Sequence, residues 1–517
     1  MNAQRLIVVS NRLPIVLDLD TAGTWHIESG SGGLVTALGP VLRDRGGIWI
    51  GWLGTPGSRL PDKEDFERLL QTGTRDTGFG LRYVKLTPEE VAGYYAGFSN
   101  NVIWPLFHEF TSLCDFDPEY WQAYKTVNAN FARRVAEESG PSDYIWVQDY
   151  HLLLMASQLK EMECNRTTGF FLHIPFPPLD IFLKVPWRLQ ILEAMLEFDL
   201  IGFQTVRDMR NFKHCVQSMI PDAAESGNGG QVRTFRRPDR EVRVGAFPIS
   251  IDFQSFADMA AKQKQSDQSF QGRREEDETL NILGVDRLDY TKGIPQRLRA
   301  IGLLLEKHPE LCRKIVFNQV LVPSRQDVDT YDQLKLEIEQ LVGEINGLYS
   351  SEGWVPVHYQ FRSLSREELV QTYRKADVCL VTPLKDGMNL VAKEYCACSV
   401  DNTGVLVLSE FAGTAAELAQ GALLVNPYDR NGVAEALHQA LTMPIEEQNS
   451  RMRSMRGIIR QNDIANWANT FLHAAITKDL SYFPKVQLFV PNSEPSGEEA
   501  LHPLLDIQSR RAHFHIQ

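Results

Sequence analysis

Short runs of apolar, β-branched residues alternate with longer stretches of helical period along the whole chain. This is the sequence form of parallel sheets whose strands are joined by crossover helices. A strand buried on both faces needs no polar alternation, so residues 6–9, 48–52, 144–147, 170–173, 200–203 and 242–246 read as a first series of strands. A second series reads at 280–285, 315–322, 357–361, 378–381, 404–408 and 422–425. Between them residues 261–278 are rich in Lys, Gln, Ser, Arg and Glu without apolar period, which places a boundary near residues 250–278. The expected division is 1–255, 256–480 and a flexible tail 481–517, with the last helix of the second part free to cross back to the first. Residues 221–240, interrupted by Gly227 to Gly230, read as an exposed loop or hairpin of the first part.

Composition changes this picture little. At 517 residues the chain exceeds the roughly 250–300 at which one core stops growing, so two domains are expected. Hydrophobic content of 43% and charged content of 23% are ordinary for a globular protein. No run approaches the ~18 apolar residues of a membrane span, and residues 6–9 are too short for a signal segment. The net charge of −13 argues against nucleic-acid partners. Seven dispersed cysteines without C-x-x-C spacing point to a reduced, cytoplasmic setting.

In open parallel sheets chemistry gathers where strands end. Residues 378–381 lead through Asp386-Gly387-Met388-Asn389-Leu390-Val391 into a helix containing Glu394. The free amides of such a helix start favour an anion, and Glu394, four residues after Leu390, could accept hydrogen bonds from sugar hydroxyls. A surface loop would carry the same letters. The strand at 280–285 is followed by Asp286, Arg287 and, five residues further, Lys292 before Gly293; these two cations can converge on a diphosphate. Strand 315–322 runs into Pro323-Ser324-Arg325, another cation at a strand end. In the first series, residues 6–9 deliver Ser10-Asn11-Arg12, and Gly30-Ser31-Gly32-Gly33 opens a helix, an anion nest or a plain turn. Tyr94 to Pro105, with Tyr95 and Trp104, concentrates aromatics and amides without clean helical period and suits a sugar ring or a core. Asp149 and His173 stand at strand ends, where a functional role competes with that of a satisfied buried group. Asp18-Leu19-Asp20-Thr21 imitates a phosphatase nucleophile motif, without a fitting lysine and acidic pair downstream.

Taken in order, these motifs resemble the trehalose-6-phosphate synthases, retaining family-20 glycosyltransferases of the GT-B type. The match runs from residue 5 to about 475 through Val9 to Pro14, Ser31 to Leu34, Tyr95, Phe98 to Asn100, Trp104-Pro105, Gln148 to Leu152, Phe171 to Pro177, Asp286 to Gly293, Pro323 to Arg325 and Thr382 to Glu394. The resemblance implies an α/β fold, with an acceptor-binding and a nucleotide-sugar-binding Rossmann-like domain facing each other across a cleft. It implies that Arg12, Tyr95, Trp104, Asp149 and Arg325 hold glucose 6-phosphate. It implies that Gly32, Gly33, His173, Arg287, Lys292, Phe361, Asp386, Gly387, Met388, Asn389, Leu390, Val391 and Glu394 hold UDP-glucose. Arg287, Lys292, His173 and Asp149 would be the catalytic set.

No metal or cofactor is expected, because no acidic D-x-D-type site stands near the donor loops. The expected partners are the two substrates, with neither nucleic acid nor membrane. A homo-oligomer or a complex with a trehalose-6-phosphate phosphatase is compatible with the sequence. A phosphatase, a non-catalytic scaffold and a polysaccharide-acting GT-B enzyme are the rival readings.

Overall fold

The computed structural model describes residues 5–19, 24–30, 33–54, 61, 63–226, 231–266, 279–324 and 329–477. Two sheets organise it. The first has nine strands, in the spatial order Gly80–Tyr83, Ile48–Trp52, Leu6–Arg12, Tyr144–Gln148, Thr167–Phe171, Leu200–Phe203, Glu241–Ala246, Val232–Arg236 and Ala224–Ser226. Neighbours are parallel as far as Glu241–Ala246; the last two strands add antiparallel. The second sheet has six parallel strands, in the order Val357–Phe361, Ile315–Val322, Leu280–Arg287, Val378–Val381, Val405–Ser409 and Leu423–Val425.

In each sheet the chain starts in the middle, works outward to one edge and returns to the other side of its first strand. The first-sheet strand order reverses between Leu6–Arg12 and Tyr144–Gln148, the second-sheet order between Leu280–Arg287 and Val378–Val381. Ligand crevices open at the carboxyl ends of strands at such reversals. The residues delivered there are Arg12, Asp149, Arg287 and the loop to Leu390.

Central strands read correctly from their apolar runs because both their faces are covered. Ile7, Val9, Ile145 and Val147 are fully buried among helices on one face, and Val8 and Trp146 on the other. Several elements differ from the sequence reading. The strand expected at 170–173 is Thr167–Phe171, so His173 lies two residues past its end. Gly80–Tyr83 is an unforeseen edge strand, and Ile15–Leu19 pairs with Trp25–Ser29 in a separate hairpin. The region from 221 to 240 takes the hairpin form of its two readings, Ala224–Ser226 against Val232–Arg236, and adds that pair to the edge of the first sheet. Helix Phe253–Ser266 enters the stretch expected to lack structure, and its Phe253, Phe256, Ala257 and Ala260 belong to the core of the second half.

The final helix, Ile464–Ile476, packs on the first sheet. Phe471 stacks on Trp146 at 4.5 Å, Trp467 lies 5.1 Å from the same indole, and the Arg243 guanidinium donates to the Ala474 carbonyl at 2.6 Å. Gly169 and Gly202 make room for the Phe471 ring.

Candidate active site

Strand alternation turns Asp286 into the second half and leaves Arg287 exposed at its end. Asp289 then caps a single turn, Tyr290–Lys292, accepting from the Thr291 amide at 3.0 Å and its hydroxyl at 2.8 Å. Gly293, at φ 65°, reverses the chain into helix Ile294–Lys307; this left-handed position and the nearby Thr382 carbonyl both require glycine. The result aims Lys292 across the strand-order reversal. Its Nζ lies 2.5 Å from Asp386 Oδ2, which also accepts from Asn389 Nδ2 at 3.2 Å. Burial pushes the Asp386 carboxyl up, but the Lys292 charge and these hydrogen bonds more than offset it and hold it below the usual range.

Asn389, at φ 87°, caps helix Leu390–Cys398 by accepting from the Ala392 amide at 3.2 Å. The Leu390 and Val391 amides precede any intrahelical acceptor and carry the positive end of the helix. One turn on, Glu394 accepts from the Tyr373 hydroxyl at 2.8 Å, and burial raises its carboxyl.

Beneath these groups lies Arg297, 1% exposed. It donates to Asp286 at 2.5 Å, Gln319 at 3.1 Å, Thr382 at 3.0 Å and the Lys292 carbonyl at 3.4 Å. It ties three neighbouring strands of the second sheet to the turn that presents Lys292. The sequence reading missed it, because an arginine in an amphipathic helix reads as part of a solvated face; the clue was its place on the apolar side, one residue before Leu298.

On the opposite wall the Trp49 indole donates to Ser10 Oγ at 2.7 Å, Ser10 donates to the Arg12 carbonyl at 2.6 Å, and the Tyr94 hydroxyl donates to Asn11 at 3.0 Å. The loop is thereby fixed, and the exposed Arg12 guanidinium lies over Trp52 at 5.1 Å and Tyr95 at 5.4 Å. Tyr95 and its neighbours sit on a π-helix, Val91–Ile103, in which the Trp104 amide reaches the Ser99 carbonyl five residues back. Trp104 packs against His108 with ring centres 4.2 Å apart and planes tilted by 37°, and His108 Nδ1 lies 2.7 Å from the Trp104 carbonyl. Burial lowers His108 to about 4, so it is neutral near pH 7. Asp149 has a left-handed φ of 73° and accepts the His173 amide at 3.1 Å. Strain of this kind collects at functional sites.

The two walls meet. Arg287 lies over the Trp104 ring at 5.8 Å, Phe110 packs edge-on against Tyr290 at 5.1 Å, and Lys385 Nζ is 2.5 Å from Glu109 Oε1. A Cβ on Gly387 would collide with the His173 carbonyl, so glycine permits the loop to touch the facing half. Met388 is buried in the core shared with the first sheet.

The structure therefore brings together Lys292, Asp386 and Asn389 directly, Arg12 with Tyr95, Arg287 with Trp104, and His173 with Asp149 and Gly387. Phe361 ends the edge strand of the second sheet, its ring under Lys335 Nζ at 5.2 Å. Gly33 begins helix Gly33–Arg45, while Gly32 and Arg325 lie outside the described residues. Asp18, of the phosphatase-like motif, is exposed on the hairpin beside His26, and Asp20 and Thr21 also lie outside the described residues.

Among the described residues, two clusters have metal-ligand composition. In the cluster of His308, Glu310 and His438, the imidazoles are stacked 3.8 Å apart and within 9° of parallel. Their lone pairs lie in the ring planes, so they do not converge on one ion. The other, Asp18, His26 and Glu28, lies on the exposed hairpin, away from the strand-end groups.

Comparison with known proteins agrees with this geometry. A trehalose-6-phosphate synthase of Mycolicibacterium vanbaalenii is 43% identical over 477 residues, covering 92% of this chain and 96% of that relative. An alpha,alpha-trehalose-phosphate synthase (UDP-forming) from Burkholderia xenovorans, solved in complex with glucose-6-phosphate, is 34% identical with a TM-score of 0.79 over 91% of this chain and 100% of that one. A structure from E. coli bound with UDP-2-fluoro glucose is 37% identical with the same TM-score of 0.79, covering 91% and 99%. The two-sheet architecture is that of the GT-B glycosyltransferases. Residues 4–477 match the model of glycosyltransferase family 20, and the chain belongs to that family.

Proposed function

We propose that the protein transfers a glucosyl group, with retention, from UDP-glucose to glucose 6-phosphate, giving alpha,alpha-trehalose 6-phosphate and UDP, the first step of trehalose biosynthesis. The observation that carries this reading is the meeting of Arg287 and Trp104 across the cleft, with Lys292 paired to Asp386 on one wall and Arg12 over Trp52 and Tyr95 on the other.

In this reading Arg12, Tyr95, Trp104, Asp149 and Arg325 hold the acceptor. Gly32, Gly33, Arg287, Lys292 and the Leu390 and Val391 amides take the donor diphosphate. Asp386, Gly387, Met388, Asn389 and His173 border the donor glucose, Glu394 takes the ribose and Phe361 borders the base. As the bond from the anomeric carbon to the diphosphate breaks, negative charge grows on the leaving oxygen. Arg287, Lys292 and the helix start stabilise it most in the transition state. The acceptor's anomeric hydroxyl forms the new bond on the face the nucleotide leaves, and its proton passes to the departing phosphate oxygen. No second carboxylate is needed, unlike hydrolysis of a glycoside. Nor does the reading need a metal or cofactor, because protein cations face the diphosphate.

Among the described residues no helix is long and apolar enough to cross a membrane. We place the enzyme in the cytoplasm, alone, as a homo-oligomer, or with a trehalose-6-phosphate phosphatase.

One assay tests the function: UDP release from UDP-glucose, with and without glucose 6-phosphate. Release that requires glucose 6-phosphate is expected. Release driven by a polysaccharide, or no release at all, would overturn the reading.

A further inference from the structure

We propose that Gln204 and Gln148 are positioning residues that lock the His173 ring as its neutral Nε2–H tautomer, so that it shapes the donor side of the cleft without moving a proton. A backbone N–H can only donate. Ile249 N–H donates to Gln204 Oε1 at 2.9 Å. The oxygen of this side-chain amide is thereby assigned, and its other arm, the NH2, faces His173 Nδ1 at 3.5 Å. An NH2 group donates only, so Nδ1 must be the acceptor. In a neutral imidazole the proton then sits on Nε2, which stands 2.9 Å from Gln148 Oε1, an acceptor.

Both glutamines are deep in the protein, Gln148 at 0% and Gln204 at 2% exposure. A second proton on the ring would set an Nδ1–H against the Gln204 NH2, two donors face to face. Among the described residues no ionised side chain bonds to the ring. The Asp149 carboxylate accepts the His173 backbone amide, Lys292 and Asp386 are paired with each other, and Phe171 and Trp467 lie beside the ring at 4.7 and 6.2 Å. Burial accordingly lowers the imidazole to about 3. The catalytic meaning, though not the lock, rests on the reading that His173 borders the donor sugar.

The experiment is ¹⁵N NMR of the full-length protein labelled at histidine, with His173→Gln used to assign the signal. The expected spectrum shows Nε2 protonated and Nδ1 bare, unchanged from about pH 5 to pH 9, a range spanning ordinary histidine titration. A proton on Nδ1, or titration inside that range, would overturn the lock. Gln204→Glu still accepts the Ile249 amide but offers Nδ1 a carboxylate oxygen. It should draw a proton onto Nδ1, lower kcat about tenfold, the equivalent of one hydrogen bond, and add an ionisation to the kcat–pH profile. The KM for glucose 6-phosphate should be unchanged. Gln204→Leu should lower kcat without the new ionisation. A Gln204→Glu enzyme with wild-type tautomer and pH profile would sink the proposal; should it not fold, the wild-type spectrum decides alone. A locked ring in a protein that releases no UDP would count against the proposed reaction and leave the lock standing.

Discussion

Lys292 and Asp386 neutralise one another at 2.5 Å, so in the proposed reading an arriving diphosphate would exchange one partner of the ammonium for another instead of finding a bare charge. Lys292→Ala removes one preorganised donor and should lower kcat by roughly 10²- to 10³-fold in the UDP-release assay. Arg12 lies on the opposite wall over Trp52 and Tyr95, and Arg12→Ala should raise KM for glucose 6-phosphate by about tenfold or more while leaving that for UDP-glucose nearly unchanged. Equal changes in both constants would remove Arg12 from the acceptor side. Arg297→Met should act on stability, since it strands Asp286 in the interior at a cost of about 3–5 kcal/mol in urea unfolding. Burial already raises the Asp286 carboxyl above its ordinary value despite Arg297. A carboxyl raised in the folded state binds its proton more tightly than in the unfolded state, so the deficit grows as pH rises above the ordinary carboxylate range and is full above the folded pKa. The variant should therefore recover toward acid pH, and Asp286→Asn in the same background should restore part of the loss at neutral pH. At this scale the sequence revealed groups on the loops that follow strand ends, such as the exposed Arg12 and Arg287 and the half-buried Lys292. It hid Arg297 and Gln204, and it named Gln148 without its partner His173, because their work lies in contacts made far along the chain.

The element least legible in the sequence is the π-helix Val91–Ile103. Its turn of about 4.4 residues puts Tyr94, Phe98 and Val102 in one buried row and Gly97, Ser99, Asn100 and Ile103 around them, so neither a 3.6 nor a 2.0 period appears. Gly93 and Gly97, four apart, let it approach Ala123 and Tyr120 of helix Pro118–Glu138. Gly97→Ala drives a methyl into the Tyr120 ring and should cost about 1–3 kcal/mol, with part returned by Tyr120→Leu in a double-mutant cycle read by urea unfolding. Strands were legible where both faces are covered, as in Val378–Val381, whose four residues are all buried. Gly80–Tyr83 escaped notice because an edge strand of four residues containing glycine and arginine has no apolar run. The Asp386 to Glu394 junction was legible because strand, loop and helix follow within seventeen residues, counted 378 to 394.

Across the whole molecule, the division into two sheets followed from the two series of apolar runs, and the last helix, read as free to cross back, does rest on the first sheet, through contacts the sequence did not single out. Phe471 is fully buried and contacts Trp146, Phe171 and Phe247 from distant parts of the chain. Phe471→Ala should cost about 3–5 kcal/mol, and the loss should appear in unfolding of the first sheet, followed by near-ultraviolet signals of Trp146. The same packing has a consequence for biosynthesis. Residues 464–476 complete one face of a sheet whose first strand begins at Leu6, so the nascent first half waits, with Trp146 and Phe171 uncovered, until almost the whole described chain has been translated. The half made first is the half finished last, and in that interval its aromatic face is open to whatever chaperone or neighbouring chain reaches it first.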